Sequence, residues 1–379
     1  MKKQKICIIG DGLTGLTTSL ALKNSAVEID LYYESFGEDK IDKRITAISE
    51  SNYMFLKHIE KKLKSHLFWT CKKIHLYYER KSELLNFLNF DKEEKSLMHI
   101  FENIKIKKEF RKLLKCKNIK LIKKKIKQIN YENGYILFEK KKIYYDLIIL
   151  CLGSKSKLYD GLTNNRAIKK DYKEIAITGY IKHNSKLINP RQYFLNEGPL
   201  AFLPFKKNVF SFVWSLNKNF YENNLSKLKT LINEKLKSLF GKSCYFKISE
   251  ISSYPIHLNL QKNYYKKNVL ILGEGLHTVH PVAGQGFNLV LRDIKKLTEL
   301  IKNNLMLGMT LKNSNILKEF YETRKSENVM FGIGIDFANI FFKKNDLLDP
   351  IKHVILKNIS KSKNVKKYSK VFSDKGISL

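Results

Sequence analysis

Apolar and polar positions follow two different periods along the chain. The segment KICIIG (5–10) contains the apolar run Ile6–Ile9, which predicts a buried strand, and residues 11–24 repeat their apolar positions at helical spacing. Residues 27–34, VEIDLYYE, predict a second strand. The chain therefore opens with a strand, a helix and a strand, as in a sheet whose strands run parallel.

The middle of the chain changes to shorter periods. Between about residues 174 and 255, short apolar segments recur with one helical stretch near 224–240, which predicts an antiparallel sheet. The apolar segment 268–273, NVLILG, then resumes the buried-strand pattern, and helical patterns dominate after it. We therefore predict an α/β protein with three parts: a discontinuous Rossmann-like nucleotide-binding domain (1–70, 98–170 and 262–310), an inserted antiparallel-sheet substrate domain (71–97 and 171–261), and a C-terminal helical region with a basic tail (311–379).

The net charge of +35 changes this picture little. Only seven of the 71 basic residues are arginines, and the remaining 64 are lysines spread over the whole chain. Arginine is the better reader of bases and phosphates, so we do not expect a nucleic-acid partner. The lysines fit a solvated surface or, as a second reading, attraction to an anionic membrane.

Other compositional features point to a cytoplasmic protein. Five scattered cysteines without a Cys-x-x-Cys pair argue against disulfides or a zinc site. No apolar run approaches the roughly 20 residues that cross a bilayer. His277 and His280 are spaced like metal ligands, but the proline that follows breaks any helix and no third ligand lies nearby, so no metal is expected.

The first chemical motif is IIGDGLTG. Gly10, Gly12 and Gly15 close the first strand and open the helix, where they would allow a tight turn, approach of a pyrophosphate and helix-strand packing. Glu34 ends the second strand, where its carboxylate could bind a ribose. This combination predicts a dinucleotide site.

The second motif, GEGLHTVHPVAGQGFNLVLRD at 273–293, identifies the dinucleotide. With the preceding strand it closely resembles the second fingerprint of FAD-dependent aromatic hydroxylases, the group of para-hydroxybenzoate hydroxylase, and in particular their ubiquinone-biosynthesis branch. The segments DKRITAIS (42–49), EGPLAFLPF (197–205) and FYETRKSENVMF (320–331) resemble further parts of this family.

The resemblance implies that FAD is the cofactor and that bare backbone in this turn lies against its flat ring. The implied cofactor-binding residues are Gly10, Gly12, Leu13, Thr14, Gly15, Glu34, Arg44, Arg111, Gly273, Glu274, Gly284, Gln285, Gly286, Phe287 and Asn288. Pro281, Val282 and His280 would lie at the reactive edge. Phe202, Phe212 and Trp214 are expected to line the substrate pocket.

The implied reaction is hydroxylation of the aromatic ring of a polyprenylated quinone precursor, with O2 as co-substrate, through a flavin hydroperoxide. NADPH or NADH is the implied electron donor, but the middle fingerprint departs from the family because Leu152 and Tyr159 replace its aspartate and arginine. A flavin-binding, non-catalytic subunit of a quinone-biosynthesis assembly and a flavin-dependent prenyl reductase therefore stay open as alternatives.

The C-terminal segment also allows two readings. Apolar residues at 351, 354, 355 and 359 among lysines fit either a basic amphipathic helix on the inner face of a membrane or a terminal helix that covers the core.

Overall fold

The computed structural model describes residues 3–34, 42–81, 83–91, 96–139, 141–154, 156–163, 167–281, 284–312, 314–343 and 348–362. Within these residues, no helix is both long enough and apolar enough to cross a membrane.

The described strands are β1 (Gln4–Ile9), β2 (Val27–Tyr33), β3 (Ile45–Ser49), β4 (Trp69–Cys71), β5 (Lys73–Arg80), β6 (Glu83–Asp91), β7 (Met98–Glu102), β8 (Ile119–Lys123), β9 (Gln128–Asn130), β10 (Tyr135–Phe138), β11 (Lys141–Tyr144), β12 (Leu147–Leu150), β13 (Ala167–His183), β14 (Arg191–Leu195), β15 (Gly198–Lys206), β16 (Val209–Asn217), β17 (Phe246–Ile248), β18 (Ser252–Gln261), β19 (Tyr265–Lys266), β20 (Val269–Ile271) and β21 (His277–Thr278). The described α-helices are α1 (Leu13–Leu22), α2 (Glu50–Ile59), α3 (Asn103–Leu113), α4 (Asp160–Thr163), α5 (Lys218–Asn223), α6 (Leu228–Phe240), α7 (Gly286–Met306), α8 (Ile316–Phe342) and α9 (Asp349–Lys361).

A six-stranded sheet forms the first core, in the order β19-β20-β12-β1-β2-β8. All of its neighbours pair in parallel except β19 and β20. β1 and β12 are almost wholly apolar because both of their faces are covered. Helix α1 is buried for most of its length in the same cluster as α7, which explains why it carries no charged residue and why the hydroxyls of Thr17, Thr18 and Ser19 donate to its own backbone.

A second, larger sheet runs in the order β21-β18-β13-β16-β15-β14-β5-β6, with β17 attached to β13. Helix α6 packs on one face of this sheet in an aromatic-rich core. A second core cluster joins this sheet to α8 and α9: α8 contacts β18, α9 contacts β6, and the Phe342 ring at the end of α8 lies against Tyr78 of β5 and Phe87 of β6.

The predicted α/β class is confirmed, including the helical C-terminal region. The strands of the six-stranded sheet come from three separate segments of the chain, 4–33, 119–150 and 265–271, whereas β13 to β18 are consecutive. The domain boundaries themselves stay a prediction.

Candidate flavin site

The first glycine turn has the geometry that its motif predicts. Gly10 has a φ of +110° and a side chain there would meet the Cys151 carbonyl oxygen at 2.3 Å, so the strand end has no room for a Cβ. A Cβ on Gly15 would lie 1.8 Å from the Gly10 carbonyl oxygen, because helix and strand touch there. Around Gly12, by contrast, a Cβ would meet nothing within 4 Å, which leaves the N-terminus of α1 open to a ligand.

The second glycine turn meets the first. Gly273 has a φ of +83°, and a Cβ built on it would lie 2.6 Å from the Thr14 Oγ1 atom of α1. Gly284 and Gly286 at the start of α7 have no heavy atom within 4 Å of a built Cβ. The backbone is therefore crowded where the two turns touch and open where α7 begins.

One cavity of about 1600 Å³ is shared by both turns and the large sheet. Twelve of the fifteen predicted cofactor residues line it; Gly15, Arg111 and Gly273 lie behind its wall. On the sheet side its lining is largely apolar and spans seven strands, β5, β6, β13, β14, β15, β16 and β18. The cavity thus joins the nucleotide-binding turns to a broad apolar surface.

A charged group closes one side of the cavity. The Arg44 Nε atom donates to Asp42 at 2.9 Å, and the Lys107 Nζ atom donates to the same carboxylate at 2.9 Å. Burial alone would raise the pKa of Asp42, but the two cations hold it well below its usual range. The Arg44 guanidinium also approaches Glu274 at 3.6 Å, so two predicted cofactor residues from distant segments meet.

Two other predicted residues are tied to neighbouring charges. Glu34 lines the cavity and pairs with Lys125 at 2.8 Å on an exposed edge. Arg111 does not reach the cavity; its Nη2 atom donates to Asp11 at 2.6 Å, and Asp11 is the residue that lines the cavity. Arg111 is therefore separated from the cavity by Asp11, whereas the resemblance implies that it approaches the flavin directly.

Asn288 is at once a lining residue and a structural tie. Its Oδ1 atom accepts from the Ser49 backbone N–H at 2.9 Å and from the Asn52 amide at 2.7 Å. Its own amide donates to the carbonyl oxygens of Ala47 and Gly284, both at 3.2 Å. Asn288 thus fixes the bare turn before α7 against β3 and α2.

The prediction for the reactive edge needs a correction at His280. Pro281 lines the cavity, but His280 is fully buried away from it and pairs through Nε2 with Glu174 at 2.8 Å. Burial favours a raised pKa for Glu174, yet hydrogen bonds from His280 and from Lys343 at 2.6 Å keep it below its ordinary value. His280 thus fastens the turn to β13 and does not face a ligand. Val282 lies outside the described residues.

The substrate-pocket prediction is also wrong, because the three predicted side chains lie on the face of the large sheet that points away from the cavity. Phe202, Phe212 and Trp214 are each at most 1% exposed and pack in the core under α6. The cavity is lined instead by Ala201 and Val213, their immediate neighbours on β15 and β16. Successive residues of a strand point to opposite faces, so a shift of one position exchanges core for pocket.

A buried ionic cluster under the second turn was not predicted from the sequence. The His277 Nε2 atom lies 2.6 Å from Asp293 of α7, whose other oxygen accepts from Arg324 of α8 at 2.6 Å. Asn328 also donates to this carboxylate. Burial opposes the charge on Asp293, but Arg324 and His277 keep its pKa below the usual range. The Arg292-Asp293 and Tyr321-x-x-Arg324 segments were visible in the sequence, but the pairing of Asp293 with Arg324 in space was not.

The altered middle fingerprint has a structural replacement. Tyr159, where the family has arginine, is 4% exposed, and its hydroxyl accepts from the Leu152 backbone N–H at 3.0 Å. A Cβ on Gly275 would lie 2.4 Å from this hydroxyl. Tyr159 therefore packs between the end of β12 and the turn that carries Glu274.

The described residues fit a bound FAD. The open backbone at Gly12 suits a pyrophosphate, and the open backbone at Gly284 and Gly286 suits the edge of a flat ring. In the described part of the chain, the buried Gln285 Oε1 atom at the cavity wall has no hydrogen-bond partner. Since buried polar atoms normally have one, this atom is suited to a ligand donor.

Comparisons with known proteins agree with this geometry. The squalene epoxidase family model matches residues 215–369. The chain is 30% identical over 210 residues to a mitochondrial ubiquinone biosynthesis monooxygenase from Dictyostelium discoideum; the match covers 46% of this chain and 42% of that protein. The chain thus spans less than half the length of this relative.

Solved structures match over the whole chain. The p-nitrophenol 4-monooxygenase PnpA from Pseudomonas putida superposes with a TM-score of 0.80 at 14% identity, covering 100% of this chain and 99% of that one. HpxO from Klebsiella pneumoniae, solved with FAD and uric acid, superposes with a TM-score of 0.72 at 14% identity, covering 98% and 97%. The fold is that of FAD-dependent aromatic monooxygenases, and the predicted resemblance to the ubiquinone-biosynthesis hydroxylases is confirmed.

Proposed function

We propose that the protein is an FAD-dependent monooxygenase that hydroxylates the aromatic ring of a polyprenylated quinone precursor. One observation carries this proposal: two glycine turns, about 260 residues apart in sequence, touch at Thr14 and Gly273 beside a cavity that continues onto an apolar sheet face. The similarity to ubiquinone-biosynthesis monooxygenases supports the substrate class.

The cofactor end of the site would be held by backbone and by a few charges. The N-terminus of α1 would face the pyrophosphate and Glu34 the adenosine ribose. Glu274 and Arg44 would contact the ribityl and pyrophosphate region from the opposite turn. The N-terminus of α7, which begins at Gly286, would place partial positive charge at the flavin and stabilise its reduced, anionic form.

The substrate end would orient an aromatic ring rather than react with it. When bound, reduced FAD would activate O2 and supply one oxygen atom to the ring. Pro281 and Thr278 line the cavity beside the second glycine turn, and the apolar residues of the sheet exclude water from the same space.

NADPH or NADH would reduce the flavin, although Leu152 and Tyr159 replace the charged residues of the middle fingerprint. These replacements favour a second candidate, a flavin-binding subunit that carries out no hydroxylation itself.

A single preparation can separate these candidates. The protein is purified, its flavin is identified by absorbance and mass, and NADPH or NADH oxidation is followed with and without a polyprenyl phenol. A donor oxidation that the phenol accelerates, with a product that gains one oxygen atom, supports the hydroxylase. Yellow protein without such a response supports the subunit, and a product that gains two hydrogens supports a prenyl reductase.

The matched control is a variant that removes the flavin site without touching the sheet. Gly12→Glu would fill the open backbone at α1 with a carboxylate that repels the pyrophosphate, so this variant should be colourless and inactive. If wild-type protein is also colourless and takes up no added FAD, the proposal fails at its first step.

A further inference from the structure

We propose that the second half of α8 and the outer face of α9 form a surface that docks on an anionic lipid monolayer. We call this surface the α8–α9 face. On α8, four large apolar side chains are 53–68% exposed, at spacings of three, four and three residues that bring them onto one side of the helix: Met330, Ile333, Phe337 and Ile340. The first half of α8 exposes Glu322 and Ser326 instead.

Helix α9 continues this surface. Its inner side is buried through Leu356, at 1% exposure, and through Lys352, whose Nζ atom donates to the Lys343 carbonyl oxygen. Its outer side exposes Ile351, Val354 and Ile355 by 41–58%. The apolar residues predicted from the sequence thus lie mostly outward: α9 covers the core with one side and presents a second apolar side to its surroundings.

Exposed apolar side chains that recur on adjacent helices mark an interaction site, because isolated surface leucines and isoleucines are common but contiguous ones are not. Two acids that the structure describes on these helices are already paired: Asp336 binds Lys170 at 2.8 Å, and Asp349 accepts from Tyr78 and lies near Arg80. Lys357 and Lys361 lie on exposed positions of α9.

Apolar residues bordered by lysines are the chemistry that a lipid monolayer with acidic headgroups recognises. A second copy of the same face fits less well, because its lysines would meet lysines. The charge pattern therefore favours lipid over self-association as the occupant.

The α8–α9 face also lies next to the apolar part of the cavity. The Phe342 ring of α8 stacks on the Phe194 ring at a centroid distance of 3.6 Å, and Phe194 lines the cavity. Phe90 and Leu76 line the same end and pack in the cluster that contains Leu356 of α9. A bilayer-resident prenyl substrate would thus reach the cavity from the docked side; this step rests on the proposed function.

The test measures vesicle binding without any turnover. The full chain, loaded with FAD, is mixed with vesicles of phosphatidylcholine and phosphatidylglycerol or of phosphatidylcholine alone, and the floated fraction is determined. Binding should require the anionic lipid and weaken at high salt, because screening shortens the reach of the lysines. The double variant Phe337→Asp/Ile351→Asp should bind about 100-fold more weakly, since it withdraws two large apolar side chains from the lipid.

The matched control is Met306→Asp/Leu307→Asp, which places the same charges on two side chains that are 83% and 75% exposed beyond the face, at the end of α7. This control should bind vesicles like the wild type. Equal binding by the α8–α9 double variant, or equal loss in the control, would overturn the proposal. So would conversion of an oligomer to a monomer by the double variant alone, which would make the face a contact between copies.

Failure of docking and failure of the proposed function can be told apart. Flavin content should be the same in wild type, double variant and control, because the substituted side chains are exposed and distant from the glycine turns. Vesicle binding with no hydroxylation would leave the docking proposal standing and reject the enzyme. Hydroxylation of a short-chain phenol without vesicle binding would support the enzyme and reject the docking proposal.

Discussion

The contact between Gly273 and Thr14 allows a direct test of whether the two glycine turns depend on each other. In Gly273→Ala, the alanine backbone would have to keep a φ of +83°. Its methyl group would lie 2.6 Å from the Thr14 Oγ1 atom and 2.9 Å from the Thr14 Cγ2 atom. The left-handed backbone alone costs an L-residue about 1–2 kcal/mol. Displacement of the threonine side chain costs about the same again, as for an overpacked core site.

The expected sum is about 3 kcal/mol of lost stability, or roughly 4 °C in Tm for a chain of this length, given a specific unfolding entropy of about 2 cal/mol/K per residue. Because both turns border the same cavity, affinity for FAD should fall at least about 10-fold. Thermal unfolding followed by tyrosine and flavin fluorescence, and FAD titration of the apoprotein, measure the two effects.

A second substitution separates backbone strain from the clash. Thr14→Ala removes the Oγ1 and Cγ2 atoms that the new methyl group would meet, so Thr14→Ala/Gly273→Ala should recover about half of the lost stability, whereas Thr14→Ala alone should cost little. Strict additivity of the two single variants would show that the turns do not touch, since only contacting residues couple. That result would contradict the contact between the two glycine turns on which the proposed function rests.

Three further predictions address the groups around the cavity. Glu174→Gln should destabilise the protein by about 2–3 kcal/mol in denaturant titration, through loss of charge-assisted hydrogen bonds, while the flavin spectrum stays unchanged. Because the pKa of Glu174 is lowered by folding, its contribution should be complete above its unfolded pKa of about 4.3 and disappear as the pH falls further, so wild type and variant should converge in acid. Asp293→Asn should cost about 3–5 kcal/mol, since it removes the fully buried carboxylate that pairs with Arg324 and His277, although Glu327 remains as an acidic partner of Arg324; Arg324→Met in the same background should restore part of the stability, and no restoration would contradict the pairing. Ala201→Phe should abolish phenol-stimulated donor oxidation with normal FAD content, because the side chain enters the cavity, whereas Phe202→Leu should lower Tm with activity retained; the opposite pattern would place the pocket on the α6 side.

The glycine motifs were predictable because residues without a Cβ are required where main-chain atoms approach one another closely. Gly10 and Gly15 sit where a Cβ would strike main chain, and no other residue satisfies that requirement. Their spacing therefore predicted a tight turn between a strand and a helix, and the apolar runs beside them predicted the α/β class. The parallel pairing of β1 with β2 agrees with the same patterns, whereas the number of strands in the sheet and their order were not predicted.

The side of the sheet that faces the ligand could not be read in the same way. Alternation along β15 and β16 states that Phe202 and Ala201 point to opposite faces, but not which face a helix covers. The aromatic face is covered by α6, so the smaller residues Ala201 and Val213 border the cavity. Large aromatic side chains thus marked a packed core, and space for a ligand was marked by small ones.

The role of His280 was hidden for a related reason. Its partners, Glu174 on β13 and Tyr172 at a ring distance of 5.1 Å, come from a strand more than a hundred residues earlier. The His277 cluster likewise draws on α7 and α8. Charges that meet only after folding leave no spacing in the sequence, so a histidine near a functional turn cannot be assigned without its partners.

The strand order of the nucleotide-binding sheet has a consequence for biosynthesis. β12 pairs with β1 along one edge, where Leu147 lies opposite Ile6. Its other edge is covered by β20, where Val269 lies opposite Ile148. Strands joined over such sequence separations form slowly, and an unpaired apolar edge attracts other chains. The amino-terminal half must therefore wait on the ribosome, with the Leu147–Leu150 strand half-paired, until Ile271 has emerged, and chains that end earlier should be held by chaperones or degraded.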